Sequence, residues 1–214
     1  MELPNIFTLL LKDVVSLIAI LDPIAAAAIM ISLVPPETPK KVIDDISLRS
    51  SVLVFVASLV TLFFGDIIFR FFGINIDSIK VMGGIILLIF AIHTVNGNIS
   101  AGTKQTEEEI NEAALKEDIA IVPLGIPILF GPGVMVTIII LKERVFSLLS
   151  LIVLLVAIAV VSFITYLTLK NSRILIKRLG ITGTKIITRI MGLIVGAIAS
   201  QFIISGVKAL WLKF

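Results

Sequence analysis

The chain has 214 residues, of which 58% are hydrophobic and only 15% are charged, and its mean hydropathy is +1.15. A soluble domain of this length cannot hide that much apolar surface, so a lipid bilayer is its solvent. The formal charge of +3 does not indicate nucleic acid, because the basic residues lie between apolar runs and read as topology signals. The chain contains no cysteine and a single histidine, which excludes disulfides and thiolate metal sites; no metal or cofactor is expected.

Six apolar segments of spanning length, about 20 residues each, are expected at residues 14–34, 50–69, 76–95, 119–141, 147–169 and 186–207. The start, Met1-Glu2-Leu3-Pro4, lacks a positive leader, and Lys12-Asp13 interrupts the first run, so a cleaved signal peptide is not expected. Residues 37–49 read as a polar connector, residues 98–118 as an acidic, cytoplasmic loop, and residues 170–185 as a basic loop. Asp66 and Arg70 read as an interfacial pair, and Lys80 and Arg189 as side chains that snorkel to headgroups. The connectors after the first, third and fifth segments carry eleven of the 18 basic residues, Lys170 to Arg189 contributing most. The lysine and arginine bias therefore puts both termini outside.

The chain repeats itself. At one offset Pro23 meets Pro132, Lys80 meets Arg189, Met82-Gly83 meets Met191-Gly192, and Gly97 meets Gly206. With three spans per half the second copy enters the membrane from the opposite side, which makes an inverted repeat. The expected architecture is a single all-α membrane domain of six helices. Repeat one covers residues 5–97 and repeat two residues 119–214, with the first and fourth helices broken near the membrane midplane.

The breaks carry the chemistry. Asp22-Pro23 pairs a preferred N-cap with a preferred first helical residue, so a new half-helix starts at Pro23. Gly131-Pro132-Gly133 does the same without a charge. Each start exposes free N–H groups and a positive dipole end, and inverted halves bring the two together near the midplane. The candidate binding residues are Asp22, Pro23, Ile24, Ala25, Gly131, Pro132, Gly133 and Val134. His93, Thr94, Ser200 and Gln201 are candidate polar or proton contacts. The small residues Ala25-Ala26-Ala27-Ala28 favour a small ligand and also suit close helix packing. The stripe Gly192, Gly196 and Ser200 reads as packing. No catalytic constellation is present, so an enzyme is not expected.

Leu21-Asp22-Pro23, Gly83-Gly84-Ile85 and Ile121-Val122-Pro123-Leu124-Gly125-Ile126-Pro127 leading to Gly131-Pro132 resemble the MarC/SnatA family of integral membrane proteins over the full chain. The resemblance implies a secondary transporter of small neutral amino acids, glycine and alanine, driven by a proton gradient. On that reading the substrate carboxylate lies against Ile24-Ala25 and Gly133-Val134. Asp22 caps its helix and either receives the substrate ammonium or carries the coupling proton. The alanine run after Pro23 departs from the more polar or glycine-rich pattern expected in some bacterial members. Export of other small metabolites or drugs, or a channel-like role, is the alternative; the oligomeric state is not legible.

Overall fold

The computed structural model describes residues 6–97, 119–122 and 124–212, and no strand occurs among them. The acidic connector at residues 98–118 and Pro123 lie outside the described residues. The elements are α1 (Ile6–Leu21), α2 (Pro23–Leu33), α3 (Lys40–Phe71), α4 (Ile76–Val95), a π-helical turn (Leu124–Leu129), α5 (Pro132–Lys142), α6 (Leu148–Lys170) and α7 (Ser172–Trp211).

Five stretches are long and apolar enough to cross a membrane: Ile6–Leu33, which joins α1 and α2, then Lys40–Ile67, α4, α6 and α7. The run expected at residues 119–141 is not a sixth long helix. It divides into the π-helical turn, itself kinked at Ile126 with extended φ −126° and ψ 127°, and the 11-residue α5. Pro127 and Pro132 each remove a backbone donor, so one continuous ladder cannot pass through this run.

The connectors are more helical than their polarity suggests. Lys40 to Arg49 extends α3, with Ile43, Ile46 and Ser47 buried on one face at helical spacing. Asp45 and Arg49 pair across one turn on the outer face. The basic stretch after Lys170 is helical too, up to Gly180, whose φ of 66° interrupts α7. That left-handed conformation costs glycine nothing.

The short helices are innermost. In α2 Ala25, Ala26, Ala27 and Met30 are buried, and in α5 Val136 to Leu141 are buried without a break. The long helices surround them and present Phe63, Phe64, Ile89, Phe163 and Leu193 outward. An apolar exterior of this kind suits hydrocarbon rather than water.

Helix α4 packs most extensively on α7, and α3 on α6. The first pair runs antiparallel. Gly206 abuts Asp77 and Lys80, Gly84 abuts Ala199 and Ile203, Gly196 abuts Ala91, and Gly192 abuts Thr94. Positions rise along α4 as they fall along α7.

A charged layer closes one end of the bundle. Lys80 Nζ pairs with Asp77 and with Glu143, and Lys142 Nζ pairs with Asp66. Buried Asp13 on α1 lies within electrostatic range of Arg144. Lys80 therefore does not reach for headgroups; its side chain is only 14% exposed and is held by two carboxylates. These ties join α3, α4 and the end of α5.

Candidate functional site

The chain breaks between α1 and α2 at one residue. Asp22 N–H bonds Ile18 O at 3.0 Å, closing the last turn of α1. Asp22 then adopts φ 39° and ψ 68°, the left-handed region that aspartate tolerates better than most residues. Pro23 has no N–H. The Ala25 N–H turns to Asp22 Oδ1 at 3.2 Å, and the Ala26 N–H to Asp22 O at 3.1 Å. The donors that would continue the ladder to the carbonyls of Ala19, Ile20 and Leu21 are thus lost: Pro23 has none, and the N–H groups of Ile24 and Ala25 turn to the Asp22 carboxylate. These carbonyls belong to residues no more than 5% exposed.

The second break has different chemistry. The π-helical turn carries Phe130 N–H to Gly125 O at 2.8 Å, and Gly131 follows in an extended conformation. Pro132 opens α5, and no side chain caps it. The N–H groups of Val134 and Met135 share Gly131 O at 3.0 and 3.3 Å. No backbone or side-chain oxygen of the described residues accepts the Gly133 N–H. The α2 start thus faces its own carboxylate, whereas the α5 start faces none.

A cavity of about 290 Å³ lies between the two starts. Asp22, Ala25, Gly131, Pro132, Gly133, Val134 and Thr94 all line it, whereas Pro23, Ile24, His93, Ser200 and Gln201 do not. Pro23 is buried in the packing and Ile24 is half-buried. His93 sits one residue, about 100° of helical rotation, from Thr94 and so turns off the cavity. Exposed Ser200 donates to Gly196 O at 2.9 Å and borders a separate groove between α4 and α7; Gln201 is exposed.

The cavity also takes in Leu87, Phe90, Pro127 and Thr188, none of which the sequence singled out as a contact. Thr188 is the important addition. It is 1% exposed, and its hydroxyl faces the Asp22 carboxylate from α7 without reaching hydrogen-bond geometry. Asp22 Oδ2 and Thr188 Oγ1 are both buried atoms without a partner. A buried polar atom left unpaired costs about 1–3 kcal/mol, so these two either close on each other or share a polar guest. The only sequence signal was a threonine within an apolar run; the repeat gives none, since the equivalent position is Ile79.

Among the described residues no cluster of three His, Cys, Asp or Glu could hold a metal ion. The cavity is bordered instead by Asp22 and Thr188, with a buried carboxylate oxygen and hydroxyl, on one side and by an uncapped helix start on the other. A cation is favoured at the first and an anion at the second.

Compared with known proteins, residues 7–211 match the model of the MarC family integral membrane protein. The chain is 36% identical over 202 residues to a UPF0056 membrane protein of Aquifex aeolicus, covering 94% of each. It is 31% identical over 205 residues to the UPF0056 membrane protein YhcE of Escherichia coli, covering 96% of this chain and 94% of the relative. A UPF0056 membrane protein of Methanocaldococcus jannaschii is 34% identical over 193 residues, 90% of this chain and 93% of that one. No solved structure matches the chain with significance.

Proposed function

This chain belongs to the MarC family of integral membrane proteins, and on that premise we propose that it is a secondary transporter of small neutral amino acids such as glycine and alanine. The observation that carries the proposal is the cavity shared by the start of α2 and the start of α5, small and lined by groups of both electrostatic preferences. An amino acid zwitterion needs both at once. Its carboxylate suits the uncapped start of α5, where the Gly133 N–H is free. Its ammonium suits the side of the cavity that holds Asp22 Oδ2. The start of α2 is the poorer place for the carboxylate, because Asp22 already occupies the Ala25 N–H.

The size of the cavity supports a small substrate. Its volume sits at the lower end of the roughly 300–1,000 Å³ typical of drug-sized ligands, and Leu87, Phe90 and Ile29 border it. Alternating access around this site is the proposed cycle. The antiparallel packing of α4 on α7 supports a three-plus-three inverted repeat, as do the matches of Pro23 with Pro132 and Lys80 with Arg189. In this reading α1 with α2, and the π-helical turn with α5, are two helices broken near the membrane midplane, and both termini lie outside. Flux is driven by a cation gradient, with Asp22 as the group that carries the cation. Nothing in the cavity is arranged as a catalytic pair, so we propose transport rather than chemistry.

Uptake of radiolabelled glycine into proteoliposomes, with and without an imposed proton or sodium gradient, tests the proposal. Saturable, gradient-dependent uptake is the expected result. Absence of saturable uptake of glycine, alanine and other small amino acids overturns it. A channel-like role would instead give flux that neither saturates nor follows an imposed gradient.

A further inference from the structure

The break at Asp22 leaves more oxygen than one proton can satisfy. The carbonyls of Ala19, Ile20 and Leu21 lose their i+4 donors to Pro23 and to the Asp22 carboxylate, and at a helix C-terminus such groups point along the axis beyond the last residue. Asp22 follows that turn directly, and its Oδ2 and the Thr188 Oγ1 are both buried and both without a partner. Ile20, Leu21, Asp22 and Thr188 all border the cavity. The end of α1 also presents the negative end of its helix dipole. Neutral and anionic oxygens of this kind, with no nitrogen or sulfur among them, are ligands for a hard cation. A single carboxylate charge suits a monovalent ion better than a divalent one, and membrane transporters place such ions where a helix is unwound near its C-terminal end.

We infer that the C-terminal turn of α1, Asp22 and Thr188 form a binding site for one sodium-sized alkali cation. The inference rests on the transport reading and names its coupling ion. A proton would occupy one carboxylate oxygen and leave the carbonyls unanswered. A bound alkali ion answers them together and neutralises Asp22. It also explains why Thr188, on the second half of the chain, faces a break in the first. The ion would tie α7 to the α1–α2 junction, so that loading it favours one arrangement of the two halves.

The substrate ammonium has similar chemistry, and the experiment separates the two sources. The purified full-length protein is titrated with sodium chloride at constant ionic strength against choline chloride, without any amino acid, and radioactive sodium binding and thermal unfolding are followed. Saturable sodium binding and a sodium-dependent rise in Tm are expected. Thr188→Val should weaken sodium at least tenfold, and Thr188→Ser should restore it; the valine variant keeps the side-chain shape and therefore the fold. No saturable sodium effect, with stabilisation by glycine alone, overturns the inference and assigns these oxygens to the ammonium. Equal sodium affinity in wild type and Thr188→Val overturns it as well. Proton-driven glycine uptake without sodium binding would remove this inference and leave the transport reading standing. Sodium binding without amino acid uptake would do the reverse.

Discussion

Lys80, one turn into α4, holds Glu143 just beyond the end of α5, joining two helices that both border the cavity. Lys142 does the same between α5 and Asp66 on α3. Both ties lie far from the site: from Gly131 to Lys142 is about 16 Å of helix at 1.5 Å per residue. The cavity lies toward the other end, where it meets Ile29 of α2, Thr94 of α4 and Thr188 of α7. The charged layer therefore closes the face that holds the ends of α3 and α5.

Separating α3, α4 and α5 at that face would break these pairs. The side chains are only 14–32% exposed, so removing one partner strands a largely desolvated charge, which is costlier than losing a surface pair. The chain has no cysteine, so Ile29→Cys can be labelled with a membrane-impermeant maleimide against no background. In the otherwise native protein, labelling is expected only from the face of the α2–α3 connector. Adding Asp66→Asn and Glu143→Gln should admit label from the opposite face, and exchanging charges as Asp66→Lys with Lys142→Asp should close it again. Unchanged sidedness in the neutralised variant would show that the layer does not hold that face shut.

Gly133→Ala tests the size of the site. A Cβ there would stand 2.9 Å from Leu87 Cδ2, the movable end of a side chain that lines the cavity. The leucine can yield, but only by repacking beside the cavity. Alanine uptake is expected to fall more than glycine uptake, by about tenfold in the ratio of kcat/KM, in line with the 1–3 kcal/mol that one methylene commands in a tight pocket. An equal fall for both amino acids would detach Gly133 from size selection.

That α2 starts at Pro23 was legible because its causes are local: a missing donor and a short acceptor side chain just before it. Thr188 was not, since its meaning comes from a residue far away in sequence and on the other half of the chain. The charged layer escaped for a related reason. Asp13, Asp66, Lys80, Lys142 and Glu143 come from different elements, and each alone looks like an ordinary residue at a membrane boundary. The helical start of α3 was hidden by composition. Lys40, Lys41 and Asp45 make the stretch polar, while the 3.6-residue period still buries Ile43 and Ile46.

The contact between α4 and α5 depends on Gly83. A Cβ built there would lie 1.9 Å from Val136 Cγ1 and 3.0 Å from Val136 Cβ, against the stem of a β-branched side chain that rotation alone cannot clear. Gly83→Ala is expected to cost about 1–3 kcal/mol, the usual range for an overpacked core, read as lowered thermal stability in detergent. Val136→Ala creates a space that the new methyl fills. The double variant should therefore be more stable than the sum of the single effects. Strict additivity would mean that the two helices separate rather than repack.

Asp22 caps α2 and, on the transport proposal, also acts by its charge; two substitutions divide these roles. Asn matches Asp as an N-cap and is at ease in the left-handed region, so Asp22→Asn should keep the Ala25 hydrogen bond and the break itself while losing the charge. Ala keeps neither the cap, worth about 1 kcal/mol, nor the tolerance of φ 39°. The asparagine variant is expected to unfold at nearly the wild-type temperature and to lose at least tenfold in glycine uptake. The alanine variant should lose both stability and uptake. Wild-type uptake by Asp22→Asn would reduce the carboxylate to a helix cap. Since Oδ2 is buried and makes no hydrogen bond within the protein, a cap alone would leave that oxygen unexplained.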